Sequence, residues 1–172
     1  MREHNDPCSE PRASCPHLPE YGILDADQGR GLLPWSWAQE RLERTWNYWV
    51  ATTRPDGRPH AMAVWGVWLD QAFYFSTGRL TRKARNLAQN PSCVVCTESA
   101  AEAVIVEGIA EAISDPAILA QLASVYQAKY QESYPNDSNV YAVRPKVVFG
   151  FVENAAEFAG SATRWSFSDP IT

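Results

Sequence analysis

The spacing of apolar residues changes several times along this chain, and each change marks an element. Ala38 and Leu42 recur at helical spacing behind the apolar knot Leu32-Leu33-Pro34-Trp35. Ser36 followed by Gln39 reads as a capping box, so a helix is predicted over about residues 37–45. Asn47–Thr53 is rich in β-formers. Arg54-Pro-Asp-Gly-Arg-Pro59 then supplies a turn, with Pro fixing φ and Gly giving φ > 0, and His60–Leu69 reads as the returning strand. A short turn at Asp70-Gln71 leads to a third strand, Ala72–Thr77. Strands joined by such short turns pair antiparallel, because parallel neighbours need long crossovers.

Leu80, Ala84, Leu87 and Ala88 restore helical spacing over residues 78–89, and Asn90-Pro91 ends it. Residues 92–98 and 103–114 read as strands, with Gly108 placed for a bulge or a close backbone approach. Asp115-Pro116 offers an N-cap and a proline at the first helical position, opening a helix to about residue 131. Residues 132–139 read as loop, 140–143 and 146–153 as strands on either side of Pro145, and 164–167 as a last short strand. Six or seven mostly antiparallel strands and three helices predict an α+β domain curled into a small barrel. Residues 1–33, rich in Pro, Gly and charge, are expected to form a flexible or surface-wrapping leader, and 34–172 a single domain.

Charge narrows the function. Fifteen Lys and Arg against twenty Asp and Glu give a net charge of −5. That balance argues against a general nucleic-acid binder or an anionic-membrane binder. No apolar run is long enough to span a bilayer, and the first residues lack the apolar core of a signal peptide, so a cytoplasmic protein is expected. Seven Trp predict a heavily packed core, a large dimer interface or a site for a flat ligand. Cys93 and Cys96 form a C-x-x-C, but on a strand residues three apart face opposite ways, so they read as buried strand thiols. Cys15 and His17 lack a second ligand pair at zinc spacing, and no metal site is expected. Neither a Ser-His-Asp grouping nor a paired-carboxylate motif stands out, and His60 is a weak proton-donor candidate.

Against this acidic background stands one basic island. Four of the fifteen cations lie within Arg79–Arg85, and no Asp or Glu occurs between Asp70 and Glu98. Ser76 and Thr77 end a strand, Gly78 turns the chain, and Thr81 is placed to cap a helix whose first turn holds Arg82 and Lys83. Cations there oppose the helix dipole, which favours negative charge. A bound anion removes the conflict, and phosphate suits the N–H groups, hydroxyls and cations gathered there. The Gly-Lys spacing of a P-loop is missing.

Taken in order, Pro55-Asp-Gly-Arg-Pro59, Phe73-Tyr-Phe-Ser-Thr77, Thr81-Arg82-Lys83, Asn86-Leu87 and Asn90-Pro91 resemble the flavin-binding split-barrel superfamily related to pyridoxamine 5′-phosphate oxidase. Arg144-Pro145 and Gly160-Ser-Ala-Thr-Arg-Trp165 extend the likeness to a bacterial branch of these oxidoreductases, over roughly residues 35–167. The resemblance implies a six-stranded antiparallel split β-barrel with flanking helices. It further implies a homodimer with FMN at the interface and hydride transfer to or from a small organic substrate. By position, Ser76, Thr77, Arg82 and Lys83 match phosphate ligands. Met62, Ala63, Val64 and Trp65 match the strand along the isoalloxazine ring, and Arg164 and Trp165 would close the site. Strand parity puts Trp65 and Val67 on one face and Val64, Gly66 and Trp68 on the other. The chain lacks the Arg at the start of the second strand, the Leu-Leu-Lys that ends it and the C-terminal Arg-x-His of true pyridoxamine phosphate oxidases. A different substrate is therefore expected, with coenzyme F420 as the alternative cofactor. Non-catalytic flavin or haem binding, and a dimeric scaffold that has lost its ligand, are readings of another class.

Overall fold

The computed structural model describes residues 10–23, 31–134, 138–154 and 158–167. Its strands, in chain order, are β1 (Arg12–Ser14), β2 (Tyr48–Thr53), β3 (Pro59–Val64), β4 (Gly66–Leu69), β5 (Ala72–Gly78), β6 (Ser92–Thr97), β7 (Glu102–Ile113), β8 (Ser138–Val152) and β9 (Thr163–Ser166). The helices are α1 (Trp35–Arg44), α2 (Arg82–Gln89), α3 (Pro116–Tyr130) and the single turn α4 (Phe158–Ser161). A short 3₁₀ turn lies at Pro19–Tyr21.

The strands pair antiparallel in the order β1-β9-β8-β7-β6-β2-β3, and β5 joins β8 to β4. The result is an α+β split barrel whose sheet is not closed. β3 pairs only with β2 among the described residues, so its second edge is free. The strand predicted from His60 to Leu69 is in fact two. The chain leaves β2 at Trp65 and continues as β4 beside β5, which is how one run of sequence serves both sides of the split.

Other expectations shift in detail. Pro34, without a side-chain cap, precedes α1, and Ser36 lies inside that helix, so the capping box at Ser36–Gln39 does not form. Thr81 does cap α2, its hydroxyl accepting from the Ala84 N–H at 3.2 Å, and Asp115 caps α3 through the Ala117 N–H at 2.8 Å. The Asp70-Gln71 turn carries φ of 47° and 62°, the pair of left-handed residues that a tight hairpin demands. β8 runs unbroken through Pro145. A bulge leaves Lys146 out of register between Glu107↔Val147 and Gly108↔Pro145, and the missing proline N–H falls where the ladder is already interrupted. Gly108 is required there, because a Cβ would lie 2.4 Å from the Arg144 carbonyl oxygen. The expected leader contributes β1 to the sheet edge through Arg12↔Ser166, Ala13↔Trp165 and Ser14↔Arg164, and it buries Cys15 and Ile23.

The main core lies inside the barrel. Trp35 is its hub, with ring centroids 6.1 Å from Trp68, 5.5 Å from Trp165 and 5.1 Å from Phe167. A second core places α3 (Leu122, Tyr126, Tyr130) over Val67, Tyr74 and Ala142. The Trp residues divide accordingly: Trp35, Trp68 and Trp165 are buried, while Trp46, Trp49 and Trp65 are between 40% and 49% exposed. Cys93 is buried and Cys96 half-buried on alternate sides of β6, as strand parity requires, and burial pushes the Cys93 thiol up to about 12. No described helix is long and apolar enough to cross a membrane.

Candidate cofactor site at the start of α2

The island's helix starts where the sequence places it, with Arg82 exposed and Lys83 only 8% exposed in a first turn free of acidic residues. What fixes α2 against the barrel is a buried pair: Asn86 Nδ2 donates to Thr52 Oγ1 at 2.9 Å, with both side chains nearly sealed from solvent. That contact brings the helix start against the end of β2 and the first residues of β3. The β2–β3 turn closes with the Arg54 N–H donating to the Arg58 carbonyl at 2.9 Å. Asp56 then holds the Arg58 guanidinium at 2.7 Å.

Four cationic or titratable groups from three segments therefore gather. His60 is pushed below its ordinary pKa, first by burial and then by the positive charge of Arg54, Lys83 and Arg82. Burial likewise lowers Lys83, which has no carboxylate within 4 Å among the described residues. Arg54 Nε is enclosed without a hydrogen-bond partner there. Among the described residues Asp56 is the carboxylate that answers this charge, and, lowered chiefly by Arg58, it already serves that arginine. An unmatched positive cluster with an orphaned donor fits an oxyanion, which would satisfy the donor and complete the helix N-terminus together.

The two strand-end hydroxyls do not act as a pair. Thr77 points toward α2, its Oγ1 2.9 Å from Thr81 Oγ1. Ser76 alternates to the other face with Ala72 and Tyr74, beside Tyr134. Arg54 and His60 lie beside Arg82 and Lys83, whereas Ser76 faces away from them. Arg54 escaped the sequence reading because it lies 28 residues before Arg82, and only the hairpin and the Thr52–Asn86 contact unite them.

The ring-side strand is open. Met62 is 49% exposed on β3, Ala63 is exposed on the opposite face, and Val64 is half-buried against the main core. Trp65 stacks on Tyr130 with centroids 4.7 Å apart and planes 7° apart. Trp65 with Val67 faces α3, and Val64 with Trp68 faces the main core, so parity survives the break between strands. The exposed Trp65, and not the buried Trp68, is therefore available to a flat ligand.

The C-terminal pair departs from expectation. Trp165 is fully buried in the main core and presents no surface of its own. Arg164 is half-buried, with a guanidinium N–H donating to Ser166 Oγ. Registers place it in one row with Phe149, Ile105, Cys96, Trp49 and Ala63, on the face away from the core and α2. Within one chain Arg164 does not converge with Arg82 and Lys83.

Comparison with known proteins sets this geometry in context. The pyridoxamine 5′-phosphate oxidase family profile matches residues 38–151. A solved structure named F420 reductase is 27% identical, with a TM-score of 0.53 over 64% of this chain and 94% of its own. A heme storage protein from Vibrio cholerae is 18% identical (TM-score 0.52, covering 64% of this chain and 85% of that one). A heme binding protein from Mycobacterium smegmatis is 21% identical (TM-score 0.59, covering 76% and 57%). At those identities the last two likenesses are of fold alone. Among proteins with curated descriptions, none matches the chain. The profile spans more than half of the chain, from α1 to β8, and includes every segment that builds the cationic cluster: the chain belongs to the pyridoxamine 5′-phosphate oxidase family.

Proposed function

We propose that the chain is a redox enzyme that anchors a flavin-type cofactor, FMN or its deazaflavin counterpart coenzyme F420, by its phosphate at the start of α2. The observation that carries this reading is the unmatched cluster of Arg54, His60, Arg82 and Lys83 around a helix N-terminus without acidic residues. The bound cofactor supplies the hydride chemistry. Lys83, Arg82 and Arg54 would hold the phosphate, with the amides of the α2 first turn. The free edge of β3 offers backbone N–H and C=O groups to a heteroaromatic ring, and exposed Met62 supplies an apolar flank. The likeness to a structure named F420 reductase supports the deazaflavin option, and the family match is compatible with FMN.

A homodimer belongs to the same proposal. The outer face of β3, β2, β6, β7 and β8 carries Ala63, Trp49, Cys96, Ile105 and Phe149 in one row, and Ala61, Ala51, Val94 and Val147 around Glu107 in the next. Trp49 is 49% and Ile109 37% exposed on this face, as suits a surface covered by a second copy. Arg164 lies on this outer face, away from the cationic cluster, so its expected role would fall to a partner copy's site.

Titration of the purified protein with FMN, coenzyme F420 and haem, followed by visible spectroscopy, tests the reading. Tight binding of FMN or F420, lost in the Arg82→Ala, Lys83→Ala double variant while folding is retained, is the expected result. Binding of haem alone, or of none of the three, would refute it. Sedimentation should give a dimer that Trp49→Glu separates into monomers.

A further inference from the structure

Where the two cores meet at β4, α1, β4 and α3 border an open cleft of about 410 Å³ lined by Glu43, Val67, Trp68, Val125, Ala128 and Lys129. Four of its lining residues are apolar, and the other two are the exposed Glu43 and Lys129, whose amine lies just behind the lining. That amine is fixed. Its Nζ donates to Tyr48 Oη at 2.8 Å and to the Gly66 carbonyl at 3.1 Å, and it lies 4.8 Å and 5.3 Å from the ring centroids of Tyr48 and Tyr130. Tyr48 is itself held, since its hydroxyl donates to the Leu42 carbonyl.

An ammonium carries three N–H donors, and this one uses two within the described residues. No described carboxylate lies within 4 Å of it. Of the titratable groups around it, Tyr48 on β2 and Tyr130 on α3 are neutral and held further toward neutrality by burial. Glu98 beyond β6 acts only from a distance, and Glu43 is exposed at the rim. A half-buried cation with a spare donor and no counter-ion is costly unless something answers it.

We propose that this cleft binds a small apolar monocarboxylate, its carboxylate on Lys129 and its hydrocarbon tail against Val67, Trp68 and Val125. This site is separate from the cationic cluster at α2, none of whose residues line it. Burial lowers the amine of Lys129 to about 8, so the free site keeps its charge at neutral pH and loses it a little above. A bound anion raises that value, and binding above pH 8 must take up a proton.

Isothermal titration with hexanoate, and with hexanamide as the neutral analogue of equal shape, tests the site. Hexanoate should bind the wild-type chain and bind at least tenfold more weakly to Lys129→Met and to Ala128→Leu, which fills the cleft from an exposed position and leaves the amine intact. Hexanamide should bind at least tenfold more weakly than hexanoate. Affinity should fall about tenfold per pH unit once the pH passes about 8. Glu43→Gln should tighten binding. Circular dichroism verifies that each variant is folded. Equal affinity for hexanamide, unchanged affinity in folded Lys129→Met, or no binding of hexanoate at millimolar concentration to the folded wild type would overturn the proposal.

Discussion

Replacing Lys83 with Met should move two properties in opposite directions. Lys83 is 8% exposed, sits in the first turn of α2, and meets the positive end of the helix dipole with no carboxylate beside it among the described residues. A charge so placed costs about 0.3–1 kcal/mol. Burial adds to that cost, and it is why the amine is lowered from its ordinary 10.5. The unfolded chain therefore holds this proton more tightly than the folded one. The destabilisation is complete at neutral pH and is relieved as pH rises from the folded pKa toward 10.5. Methionine keeps the buried stem and removes the charge. The cofactor-free protein should thus be unchanged or up to about 1 kcal/mol more stable, a rise in melting temperature of roughly 2–4 °C. The cofactor should lose a charge-assisted contact of about 1.5–3 kcal/mol, or roughly ten- to a hundredfold in Kd. Calorimetric melting without cofactor and fluorescence titration with FMN or F420 measure the two effects. A variant that loses more than about 1 kcal/mol of stability yet binds cofactor normally would refute the reasoning, because Lys83 would then be a structural residue.

Three further variants carry expected outcomes. His60→Gln should abolish part of the pH dependence of cofactor affinity: His60 is neutral at pH 7, its pKa held low by burial and neighbouring cations, so a bound phosphate should draw a proton onto it and tighten wild-type binding as pH falls toward 6. The same lowered pKa means that unliganded protein should lose stability as pH falls below about 6.5 through the folded value, which acid melts of the two proteins compare. Gly108→Ala should cost about 1–3 kcal/mol, since its Cβ would meet the Arg144 carbonyl at 2.4 Å and backbone must move, and urea melts measure it. Tyr130→Phe should cost a similar 1–3 kcal/mol, because the hydroxyl accepts the Gly66 N–H at 2.9 Å and donates to the carbonyl of Trp46 or Gly66; hydrogen exchange should show the Gly66 amide newly unprotected.

Much of the site was legible in the sequence because its parts are local. Thr81 capping α2 with Arg82 and Lys83 in the next two positions is a pattern of adjacent residues, and α2 forms as that pattern predicts. The hairpin before His60 follows from Pro55 and Gly57, the glycine adopting a φ of 82°. Arg54 and His60 joining that helix start was not legible, because it depends on one buried side-chain contact, Asn86 to Thr52, across 34 positions of chain. The burial of Trp165 is not legible in the sequence for a related reason. Its neighbour Arg164 is polar and faces outward, and nothing in a four-residue strand says that the alternate face is the centre of the core.

The sequence by itself determined the antiparallel α+β class, the approximate places of most strands and of α1 to α3, the caps of α2 and α3, and the location of unmatched positive charge in an acidic chain. These rest on period, turn chemistry and neighbouring residues, which act over a few positions. Tertiary structure alone decided that His60–Leu69 splits at Trp65 to serve two strands, that β8 passes through Pro145 by a bulge, and that residues 12–14 form an edge strand of the sheet. It also decided which tryptophans are core and which are surface, and it placed beside a cleft a lysine with no counter-ion among the described residues. Each of these outcomes is set by which distant segments share a ladder or a face, and a linear pattern carries no term for that.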